Sequence, residues 1–185
     1  RGRKELHATS RPASVPDHIM QRVKQHNDEY AKTHEEIIDQ NYMKRAKAND
    51  PVAFSQMGSK CHRKGDYEGA FEYFTKAAAL GDMEAHFNLS VMYKLGDGVE
   101  KDKKKELYHL EIAAIGGHQM ARFNLATHEW GMGRIDRAVK HFIIAANLGS
   151  EDAMKELWSL YTAGNISKKD LDATLRTHQA AVDAT

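Results

Sequence analysis

The reading of this chain turns on residues 85–117, AHFNLSVMYKLGDGVEKDKKKELYHLEIAAIGG. Two helix-compatible stretches flank a polar turn, Gly96-Asp97-Gly98, and the segment closes on Gly116-Gly117. Before the turn, Ala85, Leu89 and Tyr93 recur every four residues, which places them on one face of a helix. After it comes the small pair Ala113-Ala114, which lets a second helix lie close to the first. The closing glycine can take the left-handed conformation that ends a helix. The spacing therefore predicts a helical hairpin, helix A followed by helix B.

The same text recurs along the chain. Ala53, Ala85, Ala121 and Ala153 are separated by 32, 36 and 32 residues. Four residues after each stands an apolar side chain, Met57, Leu89, Leu125 or Leu157. The next position is small in the first three copies, Gly58, Ser90 and Ala126, and Trp158 in the last. Eight residues after the anchors come Cys61, Tyr93, Glu129 and Tyr161. In the second half of the unit Ala70 matches Ala138 and Phe74 matches Phe142. Ala77-Ala78 matches Ala113-Ala114 and Ala145-Ala146, and Gly81, Gly117 and Gly149 close the copies. Asp82 and Ser150 follow two of those glycines as capping residues for the next helix. One helical pair leaves an apolar face open, so such units need neighbours.

The second unit is longer by four residues, and they fall between its helices in Leu95-Gly96-Asp97-Gly98-Val99-Glu100-Lys101-Asp102. With Ala85, Leu89-Ser90, Tyr93, Gly96-Asp97-Gly98-Val99, Asp102, Ala113-Ala114 and Gly117, this unit resembles the Sel-one-like repeat (SLR) family, a relative of the tetratricopeptide repeats. The resemblance covers about residues 49–183. It implies an all-α fold, a short right-handed α/α superhelix of three to four helical hairpins with a C-terminal capping helix. Units are expected at about 50–81, 82–117, 118–149 and 150–166, with the cap at 167–182. There Ser167 and Asp170 are spaced as a capping box, and Leu171, Leu175 and Gln179 follow at intervals of four. The text around Lys140–Ala146 and His178–Asp183 is similar to a large algal group of these proteins, whose members often carry a RING-like zinc finger upstream.

Outward from the repeat, composition agrees. The chain has 185 residues, 24 of them alanine, and its three prolines, Pro12, Pro16 and Pro51, leave the last 134 residues free of any. Alanine without proline suits helices. Asp50-Pro51 reads as an N-cap followed by proline at the first helical position. Residues 1–16 hold two prolines, four basic side chains and one acid, and are expected to be a mobile basic leader. Residues 17–48 are expected to form a helical arm. Thr33-His34-Glu35-Glu36 reads as a capping box, which predicts a helix from Thr33 to Lys47 and another from Asp17.

The balance of charges is 27 basic against 26 acidic residues, so no nucleic-acid partner is expected. The longest apolar run, Phe142 to Ala146, is far too short to span a bilayer. A single cysteine, Cys61, can form neither an internal disulfide nor a thiolate zinc site, so an intracellular, cytoplasmic setting is expected. It also withholds the paired cysteines of a zinc finger. Eleven histidines invite a metal, but His128-Glu129 continues Trp130-Gly131-Met132 and misses the H-E-x-x-H spacing. His109 and His141 share a repeat position with Tyr73 and read as amphipathic packing residues, while His62, His86 and His118 fall at scattered offsets. Gly96-x-Gly98 and Gly131-x-Gly133 are turns between helices, since no strand precedes them. No catalytic residue, metal or cofactor is therefore expected.

The resemblance implies binding through the concave surface lined by helix A. Carried over by offset, that surface takes Val52, Ser55, Ser59 and His62 from the first unit and Glu84, Phe87, Val91 and Lys94 from the second. The third gives Met120, Phe123, Thr127 and Trp130. Its centre (Phe87, Val91, Phe123, Trp130) is apolar and aromatic, as anchors for a partner are. Lys94 or His62 would read the polar ends of the partner, and Thr127 lines the same groove. The expected function is an adaptor that holds a peptide or helix of a protein partner. One competing occupant is the preceding arm, through Ile37 and Ile38. The second reading is the substrate-recruiting part of a ubiquitin-ligase-type protein whose zinc finger lies outside this segment, and a histidine-based metalloprotein or enzyme is the third.

Overall fold

The computed structural model describes residues 15–184. Most of the basic leader lies outside them. The elements are α1 (Asp17–Lys47), α2 (Pro51–Arg63), α3 (Tyr67–Ala79), α4 (Met83–Leu95), α5 (Lys103–Ile115), α6 (Gln119–Gly131), α7 (Ile135–Asn147), α8 (Glu151–Thr162) and α9 (Lys168–Asp183). Every element among the described residues is helical. The chain divides into two compact units, residues 1–41 and 42–185.

The first unit contains most of α1, whose Ile19, Val23, Tyr30 and Ile37 are exposed. One helix replaces the two that the sequence predicts. The Thr33 hydroxyl donates to the Glu29 carbonyl one turn back, at 3.0 Å, so it is occupied inside a helix rather than starting one. Neither glycine nor proline occurs between Asp17 and Lys47, so neither interrupts the helix there; it closes at Asn49, whose φ is 57°.

The second unit is a stack of hairpins, α2–α3, α4–α5, α6–α7 and α8–α9. Their length is set by one device used repeatedly. At the end of α3, Gly81 has φ 86°; its N–H donates to the Ala78 carbonyl, and the N–H of Asp82 to the Ala77 carbonyl. That double closure is the Schellman motif. Asp82 is at once the N-cap of α4, its carboxylate accepting from the Ala85 amide at 2.6 Å. Helix end, glycine and helix start thus occupy three consecutive residues. The same bonds recur with His118 after Gly117 and with Ser150 after Gly149. The one long connection, Gly96 to Asp102, carries a glycine of another kind. Gly98 has φ 66°, and a Cβ there would lie 2.6 Å from the Tyr67 carbonyl carbon. The loop is seated on the backbone at the start of α3.

The four anchor alanines, Ala53, Ala85, Ala121 and Ala153, are fully buried, as are Ala77, Ala113 and Ala145 of the small pairs. Side chains without bulk let neighbouring helices approach, and Phe74, Leu89, Phe142 and Leu157 fill the space that remains. Three apolar clusters follow one another along the stack. The last is closed by α9, where Leu171 and Thr174 are buried. Ser167 caps this helix through the Asp170 amide, and its hydroxyl donates to the Asp170 carboxylate at 2.7 Å.

A polar tie runs between units as well. The carbonyl of the second alanine in each small pair receives a hydrogen bond from a later element: Ala78 from His86, Ala114 from Arg122 at 2.6 Å, and Ala146 from His178 at 2.8 Å. His86 and Arg122 occupy the same repeat position, one residue after the anchor alanine. His178 belongs to α9 and supplies the equivalent bond at the end of the stack.

Candidate groove between the second and third hairpins

An open cavity of about 560 Å³ lies between α4, α5 and α6. Val91, Leu95, Leu110 and Met132 make its apolar walls, with Leu95 and Met132 more than half exposed at its rim. The polar lining is of two kinds. Ser90 and Glu106 are buried and already engaged: the Ser90 hydroxyl donates to the Phe87 carbonyl at 2.6 Å, and Glu106 accepts from Lys103 at 2.8 Å. Lys94, Asn124 and His128 also line it, and among the described residues none is engaged in a hydrogen bond or ion pair. Thr127 donates its hydroxyl to the Phe123 carbonyl at 3.1 Å and keeps its acceptor capacity.

The structure brings together three of the residues expected at the partner surface, Val91, Lys94 and Thr127. The other four stand apart from the cavity walls. Phe87 lies face to face with His118, ring centroids 4.4 Å apart, and packs on the cluster of Leu110 and Leu125. Phe123 meets Phe142 edge-on at 5.5 Å within the core of the third hairpin. Trp130 is 41% exposed near the end of α6. His62 sits 3.6 Å from Asp97 and edge-on to Tyr67, joining the end of α2 to the long loop of the second unit. Of the further surface positions, Ser55 is buried, while Val52 and Met120 are exposed.

Offset counting missed the wall contributed by α5, because Lys103, Glu106 and Leu110 belong to a helix B. It also missed the role of His118, which is aligned with Asp50, Asp82 and Ser150 three residues before an anchor alanine. Its Nδ1 accepts from the Ala121 amide at 3.1 Å, and its Nε2 lies 3.0 Å from the Glu84 carboxylate. His118 is the N-cap of α6. Glu129, at the position of Tyr93, is likewise a structural group: it is 4% exposed and held by Arg134 and Arg137. The Arg134 guanidinium keeps its carboxyl below the usual range. Cys61 packs beside the first apolar cluster, and burial pushes its thiol up, away from the reactive thiolate. Among the described residues no group of three or more metal-ligating side chains converges.

Comparison with known proteins agrees with this architecture. The Sel1 repeat profile matches residues 54–82, 84–118 and 119–150, together more than half of the chain. The chain belongs to the Sel1 repeat family. A crystal structure of a Sel1 repeat protein from Oxalobacter formigenes superposes with a TM-score of 0.64 at 30% identity, covering 80% of this chain and 64% of that one. The uncharacterized protein NMB1327 of Neisseria meningitidis is 32% identical over 139 residues, 74% of this chain. This chain spans only 29% of that relative's length. DAP3-binding cell death enhancer 1 of Rattus norvegicus is 37% identical over 54 residues, 29% of this chain and 11% of its own. No helix among the described residues is long and apolar enough to cross a membrane.

Proposed function

We propose that the chain is a non-enzymatic interaction module that holds an extended peptide segment of a protein partner in the groove between α4, α5 and α6. One observation carries the reading: apolar walls and unengaged polar groups share one open cavity. Val91, Leu95 and Met132 offer contact to apolar side chains. Asn124 and His128 offer hydrogen bonds to a backbone that lacks its own, which an extended segment has and a helix does not. Lys94 favours an acidic group beside the apolar anchor. A relative whose name records binding to DAP3 supports the protein-binding class.

The test is a peptide-display selection on the purified chain, followed by calorimetric titration of the selected peptide against Val91→Glu and Thr127→Glu variants. Selected peptides with an apolar residue next to an acid, and at least tenfold weaker binding to both variants at unchanged helicity, support the reading. Failure to select any peptide, or equal binding by the variants, overturns it.

A further inference from the structure

The second hairpin contains a contact that the others lack. Nδ1 of His86 on α4 lies 2.9 Å from Nδ1 of His109 on α5, and the ring centroids are 5.2 Å apart. His86 is 9% exposed. In the first hairpin the same two repeat positions hold Phe54 and Tyr73, stacked at 6.5 Å. In the third they hold Arg122 and His141, with the guanidinium 3.3 Å from Nδ1. An aromatic pair, two facing imidazoles and a fixed cation beside an imidazole thus fill one site in successive units.

In the neutral pair one ring donates its Nδ1–H to the Nδ1 lone pair of the other. A first added proton leaves this bond intact only by placing a cation on the far nitrogen of the donating ring, in a buried or half-buried position. A second puts N–H against N–H at 2.9 Å between two cations.

The surroundings oppose even the first. On α5, Lys105 adds a like charge to His109, and its ammonium stands over the Tyr93 ring at 5.2 Å. Tyr93 of α4 stacks on His109 at 5.7 Å and Tyr108 meets it edge-on. On α4, Asp82 is the one anion acting on His86, and it is engaged as an N-cap. From α3 comes the Ala78 carbonyl, and the charged groups that act on the two rings are Asp82 and Lys105.

We propose that the His86–His109 contact is a proton-operated latch between α4 and α5, closed while at most one of the two rings carries an added proton and released when both do. Because these helices carry Val91, Lys94, Glu106 and Leu110, release loosens the groove as well.

Burial, then His86 and Lys105, pushes His109 down to about 4, and burial lowers His86 too. The ordinary histidine value is about 6.5, so the unfolded chain takes up protons first. The latch's stabilisation is therefore complete above about pH 6.5 and is lost as pH falls towards about 4. In the third hairpin burial, then Arg122, also lowers His141, opposed only in part by Glu129 and Glu111, and this ring is present in both proteins compared below.

The experiment replaces the pair with that of the first hairpin, His86→Phe with His109→Tyr. Thermal unfolding of both proteins is followed at about pH 7 and about pH 5, and wild-type imidazoles are titrated by nitrogen NMR. The expected result is an acid-induced loss of Tm larger in the wild type by about 3–6 °C. Hydrogen exchange at pH 5 should show α4 and α5 losing protection before α2 and α3. Equal losses of Tm, or a His86 or His109 ring that titrates at the ordinary value, overturn the proposal. Should the double variant fail to fold, the wild-type titration alone decides. None of these measurements uses a peptide, so the latch can fail while the groove stands, or the reverse.

Discussion

Phe74 lies so close over Gly58 that a Cβ built on the glycine would sit 2.8 Å from Cδ1 and from Cε1 of the ring. Both residues are buried, and Phe74 is 1% exposed, so the ring has little room to retreat. Alanine is the better helix former by about 1 kcal/mol, but overpacking a full core costs about 1–3 kcal/mol. Gly58→Ala should therefore lower stability despite its gain in helix propensity, and Gly58→Val should do more. Urea unfolding followed by circular dichroism measures both.

His118 accepts the Ala121 amide where the equivalent positions use Asp50, Asp82 and Ser150. Removing an N-cap acceptor costs about 1 kcal/mol. His118→Ala should show at least that loss, since it also strips the ring that stacks on Phe87. His118→Asp restores the acceptor and should recover part of it. Recovery by aspartate but not by phenylalanine, in the same urea titrations, separates the cap from the stack.

The Glu129 carboxylate is buried between Arg134 and Arg137, and its folded pKa lies below the usual glutamate value. The sign is that of a depressed acid: the stabilisation is present above the unfolded value and is lost as pH falls through the folded one. Glu129→Gln should lower Tm by about 3–6 °C near neutral pH, and the gap should narrow as pH falls below the ordinary glutamate value of about 4.3. A pH series of melting curves reads this directly. It is distinct from the histidine effect, which sets in at milder acid.

Gly98 combines φ 66° with a Cβ position 2.6 Å from the Tyr67 backbone. Gly98→Ala should cost about 1–3 kcal/mol for the conformation alone, with the steric cost added. Asn at that position tolerates the angle and not the contact. If Gly98→Asn is as damaging as Gly98→Ala in thermal melts, the close approach to Tyr67 is the larger constraint.

Much of this architecture is written in the residues themselves. The anchors Ala53 to Ala153, the pairs ending at Ala78, Ala114 and Ala146, and the closing glycines occupy the buried or left-handed positions that their spacing implies. These are local rules, one residue type per geometric need. The groove was less legible, because a cavity is made by what several helices leave unfilled. Offset counting assigns Phe87 and Phe123 to a surface, whereas each turns toward a ring of another element, His118 and Phe142. It cannot show that Lys103, Glu106 and Leu110 of α5 form a wall. The arm misled for a different reason: Thr33 fits a capping box by pattern, yet a hydroxyl serves equally well bonded to the preceding turn.

The carbonyls of Ala78, Ala114 and Ala146 have a consequence for growth of the stack. Each hairpin presents one buried acceptor to whatever is laid on it, so assembly resembles a polymer whose every monomer exposes a socket for the next. His86 and Arg122 fill that socket from the first helix of the following hairpin; His178 fills it from the second, α9. In that hairpin the residue after the anchor alanine is Met154, which has no donor, so the bond passes to the partner helix. A hairpin grafted onto the third in place of α8 and α9 would need a histidine or arginine one residue past its anchor alanine to take over the bond.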